Sequence, residues 1–211
     1  MFFSFEGIDG SGKSTQARLL ADALRERGHE VVEVREPGGT ELGERVRALL
    51  LDPEATIDDR AELLLFSAAR AQLVATVVRP ALDRGAVVVA DRFADSSTAY
   101  QGGGRGVAAP AWLESLHAFA TANVLPTRTY FVDLPPDEAA RRRDNRDADR
   151  MESGGLEFYS RVRDAYLLLA DDQPQRVLRL DGRRPVQSLA DEILGDAVSC
   201  LNNESPATRS E

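Results

Sequence analysis

The start of the chain decides the fold, in the stretch FFSFEGIDGSGKSTQARLL at residues 2–20. Residues 2–5 form an apolar run typical of a buried strand, and Ala17, Leu20 and Leu24 have the spacing of one helix face. The turn between them has the order Gly, four residues, Gly-Lys-Ser. A strand, a glycine-rich turn and a helix in succession allow backbone N–H groups to converge on phosphate oxygens. The stretch therefore predicts a phosphate-binding loop, or P-loop.

The residues of this loop suit a nucleoside triphosphate. Its glycines permit positive φ and close backbone approach, and the helix N-terminus adds a favourable dipole. Lys13, the only lysine among 26 Lys and Arg residues, would reach between the β- and γ-phosphates as a compact point charge, whereas a guanidinium is broader. Ser14 would bind Mg²⁺ through its hydroxyl. The predicted ATP site comprises Gly7, Ile8, Asp9, Gly10, Ser11, Gly12, Lys13, Ser14 and Thr15.

Apolar runs divide the rest of the chain into strands and helices. Besides residues 2–5, the predicted strands are residues 31–34, 86–90, 130–134 and 177–180, and the clearest later helices are residues 63–77 and 111–122. Strands that alternate with helices of this length need crossover connections. We therefore expect an α/β fold with a five-stranded parallel sheet flanked by helices on both faces, which binds ligands at the carboxyl ends of its strands.

Composition argues against several classes of protein. The formal net charge of −9 disfavours broad nucleic-acid binding, which needs a basic face. We find no signal-peptide pattern and no apolar stretch near about 20 residues, so we expect no membrane contact and a cytoplasmic location. Cys200 is the only cysteine, which rules out an internal disulfide.

A second functional position follows the strand at residues 86–90. Asp91 lies where a carboxylate would come near the Mg²⁺ of the first loop, directly or through water, although an Asp at a strand end is also common as a cap. Arg92 comes next and suits a second phosphate. A kinase with a phosphorylated acceptor needs such a cation, and a switch or motor ATPase does not.

Longer blocks of sequence resemble the thymidylate kinase family, whose members transfer phosphate from ATP to dTMP. The most specific is DRFADSSTAYQG at residues 91–102, and others are FEGID at 5–9, REPGGT at 35–40, FSAARAQ at 66–72 and DRME at 149–152. The resemblance extends from the first strand to about residue 197. It implies a P-loop NTPase fold of the nucleoside monophosphate kinase type, Mg²⁺ with ATP, and a homodimer.

The resemblance also implies an acceptor site around Arg92. Arg92 and Arg35 are similar to the residues that hold the dTMP 5′-phosphate, and Asp9 to the one that contacts the sugar 3′-hydroxyl. Phe66 resembles the residue that stacks on thymine, and Arg70 the one that hydrogen-bonds its 4-oxo group. Further implied substrate residues are Ser97 and Gln101 at the base edge, Tyr100 against the sugar 2′ position, Pro37 and Ser96. The implied metal residues are Ser14, Asp91 and Asp9.

An arginine-rich segment, about residues 141–153, resembles the lid of nucleoside monophosphate kinases. Arg142, Arg146 and Arg150 recur at four-residue spacing, so a helical lid would carry them on one face. Position 10 is Gly, as in the family branch whose lid supplies the catalytic arginine. A solvated helix is the alternative. The predicted catalytic residues are Lys13, Asp91, Arg92, Arg142, Arg143, Arg146 and Arg150. We expect one kinase domain at residues 1–201 and a flexible tail at 202–211.

The favoured hypothesis is Mg²⁺-dependent transfer of the ATP γ-phosphoryl group to dTMP, giving dTDP and ADP. One alternative is a kinase for another nucleoside monophosphate or for a deoxynucleoside. Another is a nucleotide-dependent switch, but a chain whose only lysine is Lys13 has no Asn-Lys-x-Asp guanine motif. A comparison of phosphate acceptors separates these hypotheses.

Overall fold

A computed structural model describes residues 1–143 and 154–204, with side chains at positions 1–142 and 154–203. The described parts of the chain contain five strands, nine α-helices and two π-helical segments, Val74–Val78 and Thr98–Gly104, with at least one helix between successive strands. The strands are β1 (Phe2–Glu6), β2 (Val31–Arg35), β3 (Val87–Asp91), β4 (Arg128–Asp133) and β5 (Val177–Asp181). The helices are α1 (Lys13–Glu26), α2 (Glu41–Leu51), α3 (Asp59–Leu73), α4 (Arg79–Asp83), α5 (Ala94–Ser97), α6 (Pro110–Thr121), α7 (Pro136–Arg143), α8 (Gly155–Asp172) and α9 (Val186–Glu204).

The strands form one parallel sheet in the order β2-β3-β1-β4-β5, which confirms the predicted fold class. The register aligns Phe5 of β1 and Arg35 of β2 with Asp91, the last residue of β3. Glu6, Arg35, Asp91, Asp133 and Asp181 end the five strands. Because all strands run the same way, these charged residues share one edge of the sheet, where such folds bind ligands.

Helices cover both faces of the sheet. On one face, Phe3 and Phe5 of β1 pack with Leu20 of α1 and Ile193 of α9. On the other, Phe2 and alternate residues of β3 pack against the segment from α3 to α4, and a further cluster joins β4 to α8. Because apolar side chains alternate between both covered faces, the central strands are continuous hydrophobic runs in sequence.

One helical stretch is long and apolar enough to cross a membrane by length and composition alone. It spans Asp59–Asp83 over 25 residues, with mean hydropathy 1.5 in its most apolar part, and the sequence analysis did not anticipate it. Its members Leu73, Val74, Val78 and Ala81 are buried against the sheet. The stretch packs against the sheet through these residues, and 44% of its most apolar part is buried.

Helix ends agree with the predicted boundaries. Arg27 and Gly28 terminate α1, and Gly28 adopts φ +85°. Pro110 is the first residue of α6. The last helix, α9, continues through Glu204, three residues into the segment for which we expected a flexible tail. Positions 205–211, and the lid positions 144–153, lie outside the described residues.

Candidate active site

The P-loop connects β1 to α1 through backbone conformations that require glycine. Gly7, Gly10 and Gly12 have φ values of +140°, +88° and +97°. A Cβ on Gly7 would lie 2.6 Å from the carbonyl oxygen of Val132, so the loop also packs closely against β4. Helix α1 begins at Lys13, which places its free N–H groups at the loop. The structure therefore brings the predicted phosphate-binding residues together at one helix N-terminus.

Lys13 is buried beside the loop. Its Nζ donates to Oδ1 of Asp9 over 3.3 Å. Burial lowers the pKa of Lys13, and the nearby charge of Arg92 lowers it further, whereas Asp9 and Asp91 raise it. A lysine in this position is surrounded by both signs of charge, which suits a group that exchanges a carboxylate partner for a phosphate.

A groove beside α1 contains the predicted metal residues Ser14 and Asp91. We call it the P-loop groove; it is lined by Ser14, Arg18, Glu33, Arg35, Gly39 and Asp91, among others. Oδ1 of Asp91 is buried and has no hydrogen-bond partner. Within the described residues no three His, Cys, Asp or Glu side chains form a metal cluster. A hydroxyl and one unsatisfied carboxylate fit Mg²⁺, which keeps several waters and shares its ligands with substrate phosphates.

Arg92 has the most constrained backbone at this edge of the sheet. Its φ of +73° is rare for a residue with a side chain, and residues held in such conformations cluster at functional sites. Nη2 donates to Oδ1 of Asp9 over 2.7 Å and to the hydroxyl of Tyr100 over 3.0 Å. Nη1 donates to Oγ of Ser96 over 3.1 Å, and the guanidinium lies 4.9 Å from the centre of the Tyr100 ring. The strained turn therefore places the Arg92 guanidinium in contact with Asp9, Ser96 and Tyr100.

Asp9 connects the two cations. Its carboxylate accepts from Lys13, Arg92 and the hydroxyl of Tyr100, the last over 3.1 Å. Burial opposes ionisation, but the charge of Arg92, followed by that of Lys13, outweighs it and holds the pKa of Asp9 far below its usual range. Asp9 is therefore an ionised residue of the P-loop that contacts both Lys13 and Arg92.

Glu6 binds two side chains that contact Arg92, a role that was not predicted from the sequence. Its carboxylate accepts from the backbone N–H of Phe93 over 2.7 Å, from Ser96 Oγ over 2.6 Å and from the Tyr166 hydroxyl over 2.7 Å. Burial raises the pKa of Glu6 to about 7, and the negative charge of Asp95 adds to the shift, although Arg92 opposes it. Ser96 and Tyr166 also touch Nη1 of Arg92, so Glu6 holds two of the groups that orient it.

An open pocket is lined in part by Arg92. We call it the Arg92 pocket. Phe66 of α3 and Leu51 of α2 give it an apolar side, and Tyr100 closes another side. The described residues that line it are Asp9, Glu36, Pro37, Arg47, Leu51, Phe66, Arg92, Ser96, Ser97, Tyr100 and Gln101. Eight of the ten predicted substrate residues line this pocket, and the two others are Arg35 and Arg70. One of the eight, Arg92, is also a predicted catalytic residue.

Arg70 lies behind the pocket wall rather than on its surface. Its side chain is 1% exposed, and Nε donates to Oε2 of Glu36 over 2.7 Å while Nη2 donates to Oγ of Ser97 over 3.1 Å. Nη1 of Arg70 and Oε1 of Glu36 are both buried without a hydrogen-bond partner. An unpaired donor and an unpaired acceptor in a buried ion pair are costly, which marks them as groups that a ligand would satisfy.

Two predicted site residues, Arg35 and Arg142, do not line the Arg92 pocket. Arg35 is 56% exposed, pairs with Glu44 over 3.2 Å and lines the P-loop groove instead of the Arg92 pocket. Arg142 donates to the backbone carbonyl oxygens of Ser11 over 3.4 Å and Gly182 over 2.9 Å, so it joins α7 to the P-loop and to the turn after β5. The side chain of Arg143, and the whole of Arg146 and Arg150, lie outside the described residues.

The carboxylates Glu6, Glu36 and Glu62 are the main functional candidates that sequence reasoning missed. Glu6 ends β1 and Glu36 directly follows β2, inside the blocks FEGID and REPGGT, and this place at a strand end was the available signal. Glu62 had none, because an acid in the first turn of a helix is usually a solvated residue that favours the helix dipole. Only the packing of α3 shows that it is buried.

A P-loop on a five-stranded parallel sheet, next to a pocket with its own cation, defines the class of P-loop α/β phosphotransferases that bind two phosphorylated ligands. The sequence model of the family described as thymidylate kinase matches residues 5–193. The chain is 45% identical over 216 residues to the thymidylate kinase of Chlorobium chlorochromatii, covering 95% of this chain and 96% of that one. It is 48% identical over 194 residues to that of Deinococcus radiodurans, with 92% and 94% coverage.

The structure agrees with these relatives. It superimposes on the crystal structure of thymidylate kinase from Ehrlichia chaffeensis with a TM-score of 0.77 and 35% identity, over 94% of this chain and 98% of that one. The chain belongs to the thymidylate kinase family, and its activity is the phosphorylation of dTMP. The resemblance found in the sequence is thereby confirmed.

Proposed function

We propose that the Arg92 pocket holds dTMP and that the P-loop holds the triphosphate of ATP. The γ-phosphoryl group would then move from the ATP at Lys13 to the dTMP 5′-phosphate at Arg92. One observation carries this proposal: a single carboxylate, Asp9, contacts Lys13 over 3.3 Å and Arg92 over 2.7 Å. Two phosphates bound by these cations would therefore be neighbours. Phosphoryl transfer depends on bringing such groups together with their charge neutralised.

Each cation suits its task. Lys13 is a point charge in a narrow loop, which fits the space between two phosphate groups of ATP. Arg92 is a planar fork held by Asp9, Tyr100 and Ser96, and a fork matches two oxygens of the dTMP 5′-phosphate. No protein base is needed, because the acceptor phosphate is already an anion. Catalysis then consists of positioning and charge stabilisation.

The rest of the Arg92 pocket suits a deoxynucleoside. Phe66 offers an apolar ring for stacking on thymine, and Ser97 and Gln101 offer polar atoms to its edge. Tyr100, fixed by Asp9 and by the Phe158 ring 6.0 Å away, crowds the sugar and disfavours a 2′-hydroxyl. The unpaired Nη1 of Arg70 is the donor proposed for the 4-oxo group. Arg35, once released from Glu44, and Pro37 complete the acceptor site.

Ser14 and Asp91 would hold Mg²⁺ in the P-loop groove, whereas Asp9, the third proposed metal residue, lines the Arg92 pocket. Bound by Ser14 and Asp91, Mg²⁺ would neutralise phosphate charge on ATP. The lid arginines Arg142, Arg143, Arg146 and Arg150 remain the proposed source of further positive charge at the transferring group. Arg142 already anchors the start of this segment to the P-loop through Ser11.

The proposed assembly is a homodimer in the cytoplasm. Apolar side chains are exposed on three helices: Leu42 and Leu49 on α2, Leu64 on α3, and Trp112 and Phe119 on α6, the last being 87% exposed. Exposed apolar residues on packed helices favour protein contact. Sedimentation of the wild type and of Phe119→Asp tests this, with a monomeric variant expected. A wild type that sediments as a monomer at micromolar concentration would contradict the dimer.

The acceptor panel tests the function. With ATP and Mg²⁺ in excess, we expect dTMP to have a higher kcat/KM than dUMP, UMP, dCMP, dGMP or thymidine. A preference for thymidine would contradict the phosphate site at Arg92, and a preference for dGMP would contradict the proposed base site. ADP release without any dependence on an acceptor would favour the nucleotide switch instead.

A further inference from the structure

Glu62 is a buried carboxylate directly behind the base end of the Arg92 pocket. It lies on the first turn of α3, and its side chain is 0% exposed. Oε1 accepts from Nε2 of Gln101 over 2.8 Å and from Nε of Arg105 over 2.7 Å, and Oε2 accepts from Nη2 of Arg105 over 3.0 Å. Gln101 borders the pocket, whereas Glu62 does not.

The chemistry of Glu62 decides which end of the Gln101 amide turns toward it. An ionised carboxylate has acceptors only, and the two-pronged contact with Arg105 stabilises it in that form. The Gln101 NH₂ group must therefore face Glu62, since the opposite orientation would set two oxygens against each other. One N–H of this group binds Glu62 and holds the nitrogen there, so the carbonyl oxygen is the end of the amide that lies away from Glu62 and can accept from a ligand.

We propose that Glu62 is a positioning residue for base selection: it makes Gln101 an acceptor, and so selects pyrimidines that carry N3–H. This inference rests on the proposed placement of the base in the Arg92 pocket. Thymine and uracil carry a proton at N3, which a carbonyl oxygen accepts. Cytosine has a lone pair there, so it would face Gln101 with two acceptors together and no donor.

A buried polar mismatch of this kind is a strong filter. Sites built to hydrogen-bond a polar group reject analogues that lack it by roughly 10⁴–10⁵-fold, much more than apolar pockets distinguish shapes. Glu62 would contribute part of this factor by preventing rotation of the Gln101 amide. Without that constraint, a half-turn of the amide about its terminal bond exchanges oxygen and nitrogen, and the NH₂ group can then donate to cytosine N3.

The test is the ratio of kcat/KM for dTMP to that for dCMP in Glu62→Gln. The amide that this substitution introduces can present either a donor or an acceptor, so Gln101 becomes free to turn. We expect the ratio to fall by about tenfold or more, with dCMP gaining relative to dTMP. A purely structural role for Glu62 would lower both kcat/KM values together and leave the ratio unchanged, and that result would overturn the inference.

Asp59→Asn is the matched control. Asp59 lies 3.4 Å from Nη1 of the same Arg105, is half exposed, and belongs to the same turn of α3. Asp59→Asn removes a negative charge beside Arg105 and leaves the Glu62 carboxylate as the partner of Gln101. We expect an unchanged ratio, and an equal fall in this variant would overturn the inference by tracing the effect to Arg105.

A second variant covers the case in which Glu62→Gln does not fold. Gln101→Met has similar volume and no hydrogen-bonding amide, so it should lose most discrimination between dTMP and dCMP, and retained discrimination would overturn the inference. The wild-type arm separates this inference from the proposed function. A wild type without preference for dTMP contradicts the proposed base site, whereas a wild type that prefers dTMP, with an unchanged ratio in Glu62→Gln, contradicts only the role of Glu62.

Discussion

Replacing Arg92 by Ala should weaken the acceptor side of the reaction far more than the ATP side. Arg92 is the cation of the Arg92 pocket, and its guanidinium is held by Asp9, Ser96 and Tyr100 at 2.7–3.1 Å. These contacts fix both of its terminal nitrogens along the pocket wall. Lys13, the cation of the P-loop, remains in the variant with its own bond to Asp9.

The magnitude follows from the fork. A hydrogen bond to a charged group contributes about 1.5–3 kcal/mol, so two bonds to the 5′-phosphate give roughly 3–6 kcal/mol. Because about 1.36 kcal/mol corresponds to tenfold, kcat/KM for dTMP should fall by about 10²–10⁴-fold. The KM for dTMP should rise and the turnover should fall, with little change in the KM for ATP.

Steady-state kinetics with each substrate varied in turn measures this effect. Arg92→Lys is the matched control, because it keeps the charge and the same φ of +73° but loses the fork. We expect it to lie between the wild type and Arg92→Ala. An unchanged KM for dTMP in a folded Arg92→Ala variant, judged by its circular dichroism and thermal transition, would refute the assignment of the acceptor phosphate to this residue.

Three further predictions concern the P-loop and its support. Lys13→Arg should fold normally but lose most turnover, because a broad guanidinium does not fit the position of a point charge; full activity would show that the lysine is incidental. Gly7→Ala should impair both stability and ATP binding, because its Cβ would meet the Val132 carbonyl at 2.6 Å with φ at +140°, and wild-type values of both in a titration and a thermal melt would contradict the tight loop. The folded-state pKa of Glu6, about 7, exceeds its reference value of 4.5, so the wild type should lose stability from this group as pH rises from about 4.5 to 7. Glu6→Gln removes that titration, so in urea denaturation the variant should be more stable relative to the wild type at about pH 8 than at about pH 5. A stability difference that does not change with pH would contradict the raised pKa.

Local patterns predicted most of the fold. The five apolar runs became the five strands. The three central strands β1, β3 and β4 are buried on both faces and therefore apolar nearly throughout, whereas the edge strands β2 and β5 are partly exposed and were visible from their β-branched and leucine residues. The helix ends at Gly28 and Pro110 were also predictable, since their backbone constraints act within one or two residues. The membrane-length hydropathy of Asp59–Asp83 was missed, because charged residues such as Glu62, Arg70 and Arg79 interrupt its apolar residues and leave no continuous apolar run.

Site residues were predictable where a motif carries its own geometry. Gly7, Lys13 and Ser14 lie on one loop and the helix turn that follows it, so their spacing alone brings them together. Arg70 shows the limit of that reasoning: its spacing from Phe66 on α3 predicted a shared face, but the structure buries it against Glu36 and Ser97. Its distance from the pocket surface depends on residues from three separate parts of the chain.

The sequence by itself determined the sheet, the phosphate-binding loop and the identity of the charged residues at the strand ends, because these depend on residues that are neighbours in the chain. The tertiary structure decided how those charges pair. It joined Asp9 to Arg92 and Glu62 to Gln101, contacts that cross 83 and 39 positions of the chain. A carboxylate in sequence has the same chemistry whether it is solvated or buried, and only packing determines which cation or amide it meets, and therefore whether it orients a substrate or merely faces water.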